Sequence, residues 1–400
     1  MRNAFLSLAA PASLALVAAL VAPPATAQTV KLGIINTYSG PNVQQGDQMD
    51  KGMMLYYDTH KQDLPAGVSI ELVKRDDTGA NPEIAKRLVQ ELVTRDHVQL
   101  LLGIIWSPNA AAITPVLTEA KLPFIDTNAA GVSIVRMTPY MIRTSFTLWQ
   151  QAYPLGQWAA KQGYKKGYTA VSDFIPGHEG EEAFTKGFTD GGGKMMDTVR
   201  FPLASPDFVP YMQKVKDAKP DVFYTFVPAG KQATAIMKAA ADVALDRSKT
   251  AIVSTQDLVP DEEIPNMAEQ AVGLVTSGVY SADATRPANQ AFIAAWKKAY
   301  GDKVIPDFLS ADAWDGMAAV FDLVKATKGK FDSDQAMAFL SKWKNPDSPK
   351  GPVMIDPATR DIIQNVYMRR VEKQGARYVD VEFETIPNVK DPWKELNPPK

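Results

Sequence analysis

Side chains that commonly carry chemistry are sparse in this sequence. It has three histidines and no cysteine, which excludes thiolate chemistry and leaves a zinc site short of ligands at usable spacing. His178-Glu179 opens like a zinc-protease helix, but that motif needs a second histidine four residues on, where Glu182 stands. There is no Gly-x-Ser-x-Gly elbow. Gly191-Gly192-Gly193 follows a helical stretch and reads as a helix stop, not a dinucleotide loop. Ala229-Gly230-Lys231-Gln232 lacks the spacing and the hydroxyl of a phosphate-binding loop. Asp76-Asp77-Thr78-Gly79 matches an aspartic-protease triplet in a single copy and reads as a polar turn capping the next helix. These failures predict a protein with no catalytic residue, no metal and no cofactor.

Turns between strands and helices carry more information. In Leu100–Leu117, "LLLGIIWSPNAAAITPVL", a buried-strand run ends in a tryptophan, then Ser-Pro-Asn, then an alanine-rich helix. Comparable turns are Asn36–Gly46, Asp126–Gly131, Ser172–His178 and Phe226–Gly230, which combine small capping residues, glycine or proline, and aromatic rings. Open α/β sheets hold ligands beyond the carboxyl ends of their strands. Helix N-termini there present unpaired N–H groups and about half a positive charge, enough to attract a carboxylate without a dedicated cation.

The elements needed to position these turns are visible as alternation. Apolar strand runs and amphipathic helix runs follow one another from Gln28, with Asn81-Pro82 a clear helix start. A second series begins near Trp149, helices return over 287–343, and three strand runs close the chain, the last two joined at Gln374-Gly375. This pattern predicts an α/β fold of two Rossmann-like, doubly wound lobes. The expected division places 28–145 and 279–350 in an N-terminal lobe, 146–278 and 351–387 in a C-terminal lobe, and 388–400 in a surface tail. Ahead of them, Met1-Arg2-Asn3, the apolar Phe5–Val21 and Ala25-Thr26-Ala27 fit a secretory signal peptide over 1–27, hence a periplasmic protein. The net charge of −2 gives no basic surface for nucleic acid.

Four stretches carry a resemblance to a known family: "VKLGIINTYSGPNVQQGDQMDKGMMLYYD", "KRDDTGANPEIAKRLVQELV", "LLLGIIWSPNAAAITPVLTEAKLPFID" and "PDFVPYMQKVKDAKPDVFYTFVPAG". In this order they resemble the branched-chain amino acid type (type I) of periplasmic substrate-binding protein of ABC transporters, and within it the aromatic-acid-binding branch. The resemblance implies three crossings between the lobes, a ligand gripped between them, a membrane permease as partner, and a monomer. It places Ser107 on the ligand carboxylate and Asn128, Ala129 and Ala130 in the loop holding the same end. Gln45 stands where a tyrosine is common, Phe226 matches the opposite lobe's contact, and Asp257 lies near the acid that amino-acid binders use. The family's threonine is replaced in Ala130-Gly131, which argues against an amino-acid ligand. Trp106, Phe174 and Tyr280 are expected to line the cleft around an aromatic body, and His178 to meet the ligand's far end. The expected ligand is a small carboxylate of the benzoate type. A branched-chain or aromatic amino acid, or a sensing role, is the alternative.

Overall fold

A computed structural model describes Met1 and residues 28–204 and 206–398; the expected signal peptide lies outside the described residues. The chain runs β1 (Gln28–Asn36), α1 (Val43–His60), β2 (Val68–Asp76), α2 (Pro82–Thr94), β3 (Leu100–Gly103), α3 (Ser107–Ala120), β4 (Phe124–Asp126) and β5 (Met141–Arg143). These strands form a parallel sheet in the order β2-β1-β3-β4-β5. The second series is α4 (Leu148–Lys161), β6 (Lys166–Ser172), α5 (Ile175–Asp190), β7 (Lys194–Phe201), α6 (Val209–Ala218), β8 (Val222–Phe226), α7 (Lys231–Asp242), β9 (Ala251–Thr255), α8 (Ile264–Met267) and β10 (Val275–Gly278). It repeats the same order as β7-β6-β8-β9-β10. In each sheet the order reverses at the first strand, so each has a switch point, between β1 and β3 and between β6 and β8.

Chain crossings link the two sheets. After β5 the chain enters α4, and after β10 it returns to α9 (Pro287–Tyr300) and α10 (Phe308–Thr327), which pack on α1. Beyond α11 (Ser333–Leu340) it crosses back through β11 (Lys344–Asn345) and β12 (Val353–Ile355) to β13 (Ile362–Gln374). β13 adds antiparallel to β10, and β14 (Arg377–Val389) pairs with it through a two-residue turn whose Gly375 has φ +63°. Two doubly wound lobes are what the alternation predicted, and three crossings what the resemblance implied.

Local chemistry accounts for the boundaries. Asn81 accepts from Ile84 N (3.3 Å) ahead of Pro82, and Thr147 forms a capping box with Gln150 at α4. β3 is shorter than its apolar run suggests. Gly103 and Ile104 sit at φ +115° and +65°, and Ile104 N donates to Ile35 O (2.8 Å), so the chain leaves the sheet before Trp106. A β-branched residue at positive φ is strained, and here the strain lies three residues before the turn of interest.

The tail reading needs correction. Asn388–Lys400 is not a loose surface segment over its described part: Val389 ends β14, and Asp391 caps a final helix, α12 (Pro392–Leu396), by accepting from Trp393 N (3.0 Å). The buried Lys394 ammonium of that helix pairs with Asp361. A proline-rich composition gives no hint of an anchor that exists only in the tertiary fold.

Candidate functional site

Both switch points face one narrow cavity that opens to solvent. From the first lobe it is lined by Gln45 of α1, Ile105, Trp106 and Ser107 at the end of β3, and Asn128 and Ala130 after β4. The second lobe supplies Phe174 and Pro176 at α5, Phe226 at the end of β8, Pro228 and Ala229 after it, and Asp257 after β9. Phe146, Leu148, Phe308 and Leu309 complete the wall.

Two helices meet this cavity head-on, and both are capped by aromatic rings. Trp106 is the N-cap of α3 and Phe174 that of α5, and neither helix has a side-chain hydrogen bond at its cap. An indole can only donate and a phenyl ring does neither, so the first-turn N–H groups are left to solvent or to a ligand. Ser107 is the first helical residue, and its Oγ accepts from Gly131 N (3.1 Å), which leaves the hydroxyl hydrogen free to donate.

The first-lobe wall is held from behind by polar contacts. Trp106 Nε1 donates to Thr37 Oγ1 (3.1 Å), Thr37 donates to Asp77 Oδ1 (2.7 Å), and Asn109 Nδ2 donates to Asp77 Oδ2 (2.9 Å). Asp77 therefore fixes the indole and does not cap α2, the role read for its turn. Asp126 Oδ1 accepts from Asn128 N (3.1 Å) and Ala129 N (2.8 Å). Those two amides are thus spent inside the protein, not aimed at a ligand as the family comparison implied. Arg143 serves the same loop, donating to Asp126 Oδ2 (3.1 Å), Asp361 Oδ1 (2.8 Å) and Gly131 O (2.6 Å).

Gln45, Trp106, Ser107, Asn128, Ala130, Phe174, Phe226 and Asp257 are brought together around the cavity. Three expected residues are not. Ala129 is fully buried behind the loop among Ile104, Ala110 and Ile134. His178 lies outside the lining, its Nε2 2.6 Å from Asp173 Oδ1 and its side chain 40% exposed, because the first turn of α5 points that position to solvent. Tyr280 follows β10 into the core and meets Phe292 edge-on, with ring centroids 6.3 Å apart. Phe308 and Leu309, which the sequence reading missed, start α10 just after its cap, Asp307.

Asp257 is the one ionisable group among the lining residues, and burial pushes its carboxyl up to about 7. Among the described residues no Lys, Arg or His lines the cavity. An anion held here must be met by helix N-termini and the Ser107 hydroxyl.

The two lobes are joined at the cavity's edges. Gln45 Nε2 donates to Ala229 O (2.6 Å), Gln44 Nε2 to Glu263 Oε1 (2.6 Å) and Gln48 Nε2 to Glu262 Oε2 (2.5 Å), all from α1 to the other lobe. On another side, Glu179 of α5 accepts from Val132 N (3.1 Å). Burial raises Glu262 and Glu179 to about 7. Glu262 also faces Glu263, Asp47 and Asp307, which reinforce the shift, while its bonds from Gln48 and Gln44 oppose it. Glu179 has Glu182 as a like charge and Arg143 and Lys394 as opposing ones. Separating the lobes would return both groups toward the ordinary carboxylate value of about 4.3, so closure takes up protons. The closed form is then favoured as pH falls through 7 and gains nothing further below the open-form value. Ligand affinity is expected to rise between pH 8 and pH 6, with Glu262→Gln flattening the rise. Calorimetric titration in two buffers of different ionisation enthalpy checks it; proton release on binding would contradict the assignment.

Comparison with known proteins adds independent findings. A profile of the periplasmic binding protein family matches residues 29–376. The Leu/Ile/Val-binding protein homolog 6 of Brucella melitensis biotype 1 is 37% identical over 376 residues, covering 93% of this chain and 95% of the relative. A solute binding protein of an ABC transporter from Rhodopseudomonas palustris BisB5, solved in complex with 3,4-dihydroxy benzoic acid, is 41% identical with a TM-score of 0.87, covering 92% of this chain and 99% of that one. Another from R. palustris, in complex with 4-hydroxybenzoate, is 38% identical with a TM-score of 0.86 over 91% and 98% of the two chains.

Proposed function

The chain belongs to the periplasmic binding protein family, and from that premise we propose that it captures an aromatic monocarboxylate of the benzoate type for an ABC importer. The observation that carries the reading is the α3 N-terminus, open at an aromatic cap, in a cavity without a cation and walled by Trp106, Phe146, Phe174, Phe226 and Phe308. A carboxylate supplies the charge that the helix terminus attracts. A flat ring fits beside Phe174 and Phe226, whose centroids lie 6.0 Å apart at 34°. The ring-binding structural relatives support this choice. The protein binds and releases its ligand without turning it over, acts in the periplasm, and hands the ligand to a membrane permease. Its lobes rock about the three crossings, and closure is favoured only as far as the ligand binds the closed form better.

A branched-chain amino acid is the second reading. It is favoured by Asp257, which could meet an ammonium, and by the curated relatives. A thermal-shift screen with benzoates, cinnamates and amino acids at equal concentration separates the two. At a hundredfold excess over Kd a true ligand stabilises by about 2.7 kcal/mol. The benzoates are expected to respond and leucine, isoleucine and valine not to; a response confined to amino acids would reverse the assignment.

A further inference from the structure

We propose that Lys394 of the C-terminal helix α12 is a positioning residue for ligand capture, holding the 128–132 loop against the head of α3 from outside the cavity. This rests on capture of an anion at α3 between the lobes, not on which acid is bound. α12 lies across the junction of the two lobes. It packs on α4 of the second lobe, and Gln150 Nε2 of α4 ties down the chain leading into it by donating to Val389 O (3.0 Å). Trp393 reaches the first lobe, where the Arg136 guanidinium lies 5.0 Å from its ring centroid. Between these contacts the Lys394 side chain, 1% exposed, meets Asp361 on the third crossing.

From Asp361 the contacts lead to the ligand loop without a break. Lys394 takes Asp361 Oδ2, which leaves Oδ1 for Arg143 Nη1 (2.8 Å). The same guanidinium gives Nε to Asp126 and Nη2 to Gly131 O (2.6 Å). Asp126 holds the Asn128 and Ala129 amides, and Gly131 N donates to the Ser107 hydroxyl. One residue on, Glu179 of the second lobe accepts from Val132 N. Burial pushes the Lys394 ammonium down to about 6, with Arg143, Arg136 and Arg360 adding to the shift and Glu179 opposing it. Charged or neutral, the amine still has hydrogens to give to Asp361. With methionine in its place, the freed Asp361 oxygen competes for Arg143 Nη2, because a guanidinium and a carboxylate favour two parallel bonds. Gly131 O then loses its donor, and the loop loses its fixed place beside Ser107.

The test compares the purified mature chain with Lys394→Met, Trp393→Ala and Lys390→Met. Kd is read by isothermal titration with 4-hydroxybenzoate and with leucine, and amide hydrogen exchange is read without ligand. Lys394→Met is expected to weaken binding by about tenfold, within the usual range for coupling between separate sites. It should speed exchange at Gly131 and Val132 by about tenfold more than at Leu32 and Ile34 in β1, the mark of local opening. Trp393→Ala, which loosens α12 but keeps the lysine, should shift both readings the same way by less, and it carries the test if Lys394→Met does not fold. Lys390→Met, on the same segment but in a half-exposed pair with Asp356 (3.4 Å), should leave Kd unchanged. Wild-type Kd and loop exchange in a folded Lys394→Met would overturn the inference. Equal acceleration at the loop and at β1 would also overturn it, since the lysine would then serve only global stability. Binding of leucine alone would overturn the aromatic-acid reading and leave the Lys394 comparison to be read with leucine and by exchange.

Discussion

Arg143→Met is expected to destabilise the ligand-free protein by about 3–5 kcal/mol, the usual consequence of removing one partner from a buried ion pair. The guanidinium is wholly buried and pairs with both Asp126 and Asp361, which are themselves 0% and 1% exposed. Methionine of similar length fills the space but leaves Asp126 without its counter-charge and Gly131 O without its donor. Burial already pushes the Asp126 carboxyl to about 6 with Arg143 opposing the shift; without the arginine it rises further. A carboxyl raised in the folded state above its unfolded value makes folding take up a proton, so stability falls as pH rises through the folded value. The variant's deficit should therefore be smaller at pH 5.5 than at pH 8. Urea denaturation of both proteins at the two pH values measures it. A loss under 1 kcal/mol at pH 8 would mean that the Arg143 cluster does not hold the loop. Because Asp126 positions Asn128 and Ala129 and Arg143 positions Gly131, binding should weaken alongside stability.

Alternation made the fold legible, while the back wall of the site stayed hidden. Asn81-Pro82 announced α2, because cap and first-turn proline act within one stretch of chain. Trp106 and Ser107 were found because the end of a strand and the start of a helix meet there. What was misread depends on partners distant in sequence. Arg143, Asp361 and Lys394 form one cluster from three separate elements, and no local pattern joins them. His178 differs from a ligand contact only by the rotation of one helical turn. Phe308 and Leu309 escaped notice because they lie in the helical stretch 287–343 and outside the strand-end turns from which the site was read. The signal was present: Asp307 accepts from Leu309 N (2.9 Å) and Ser310 N (3.3 Å) as a helix cap, which starts the helix at Phe308, one of the cavity's lining residues. The free amides assumed at 128 and 129 were lost to Asp126, a residue whose own side chain makes a turn of the loop that follows it.

Substitution of Ser107 separates the site's anion chemistry from its packing. Ser107→Ala is expected to weaken binding by about 1.5–3 kcal/mol, the range for a hydrogen bond to a charged group. Part of that loss comes from stranding Gly131 N, whose acceptor is Ser107 Oγ. Ser107→Asp should go further and reduce binding by more than about a hundredfold. A carboxylate in the first turn of α3 would itself occupy the uncapped N–H groups and place a negative charge in a cavity with no cation to offset it. The same charge interacts favourably with the helix dipole, so thermal stability without ligand should hold or rise while affinity collapses. Those opposite signs identify the α3 terminus as the anion site, because general damage would lower both. They are read by calorimetric titration with 4-hydroxybenzoate and by melting in its absence. If Ser107→Asp bound the acid as tightly as the wild type, the negative end of the ligand would have to lie elsewhere, and the aromatic caps of α3 and α5 would need another explanation.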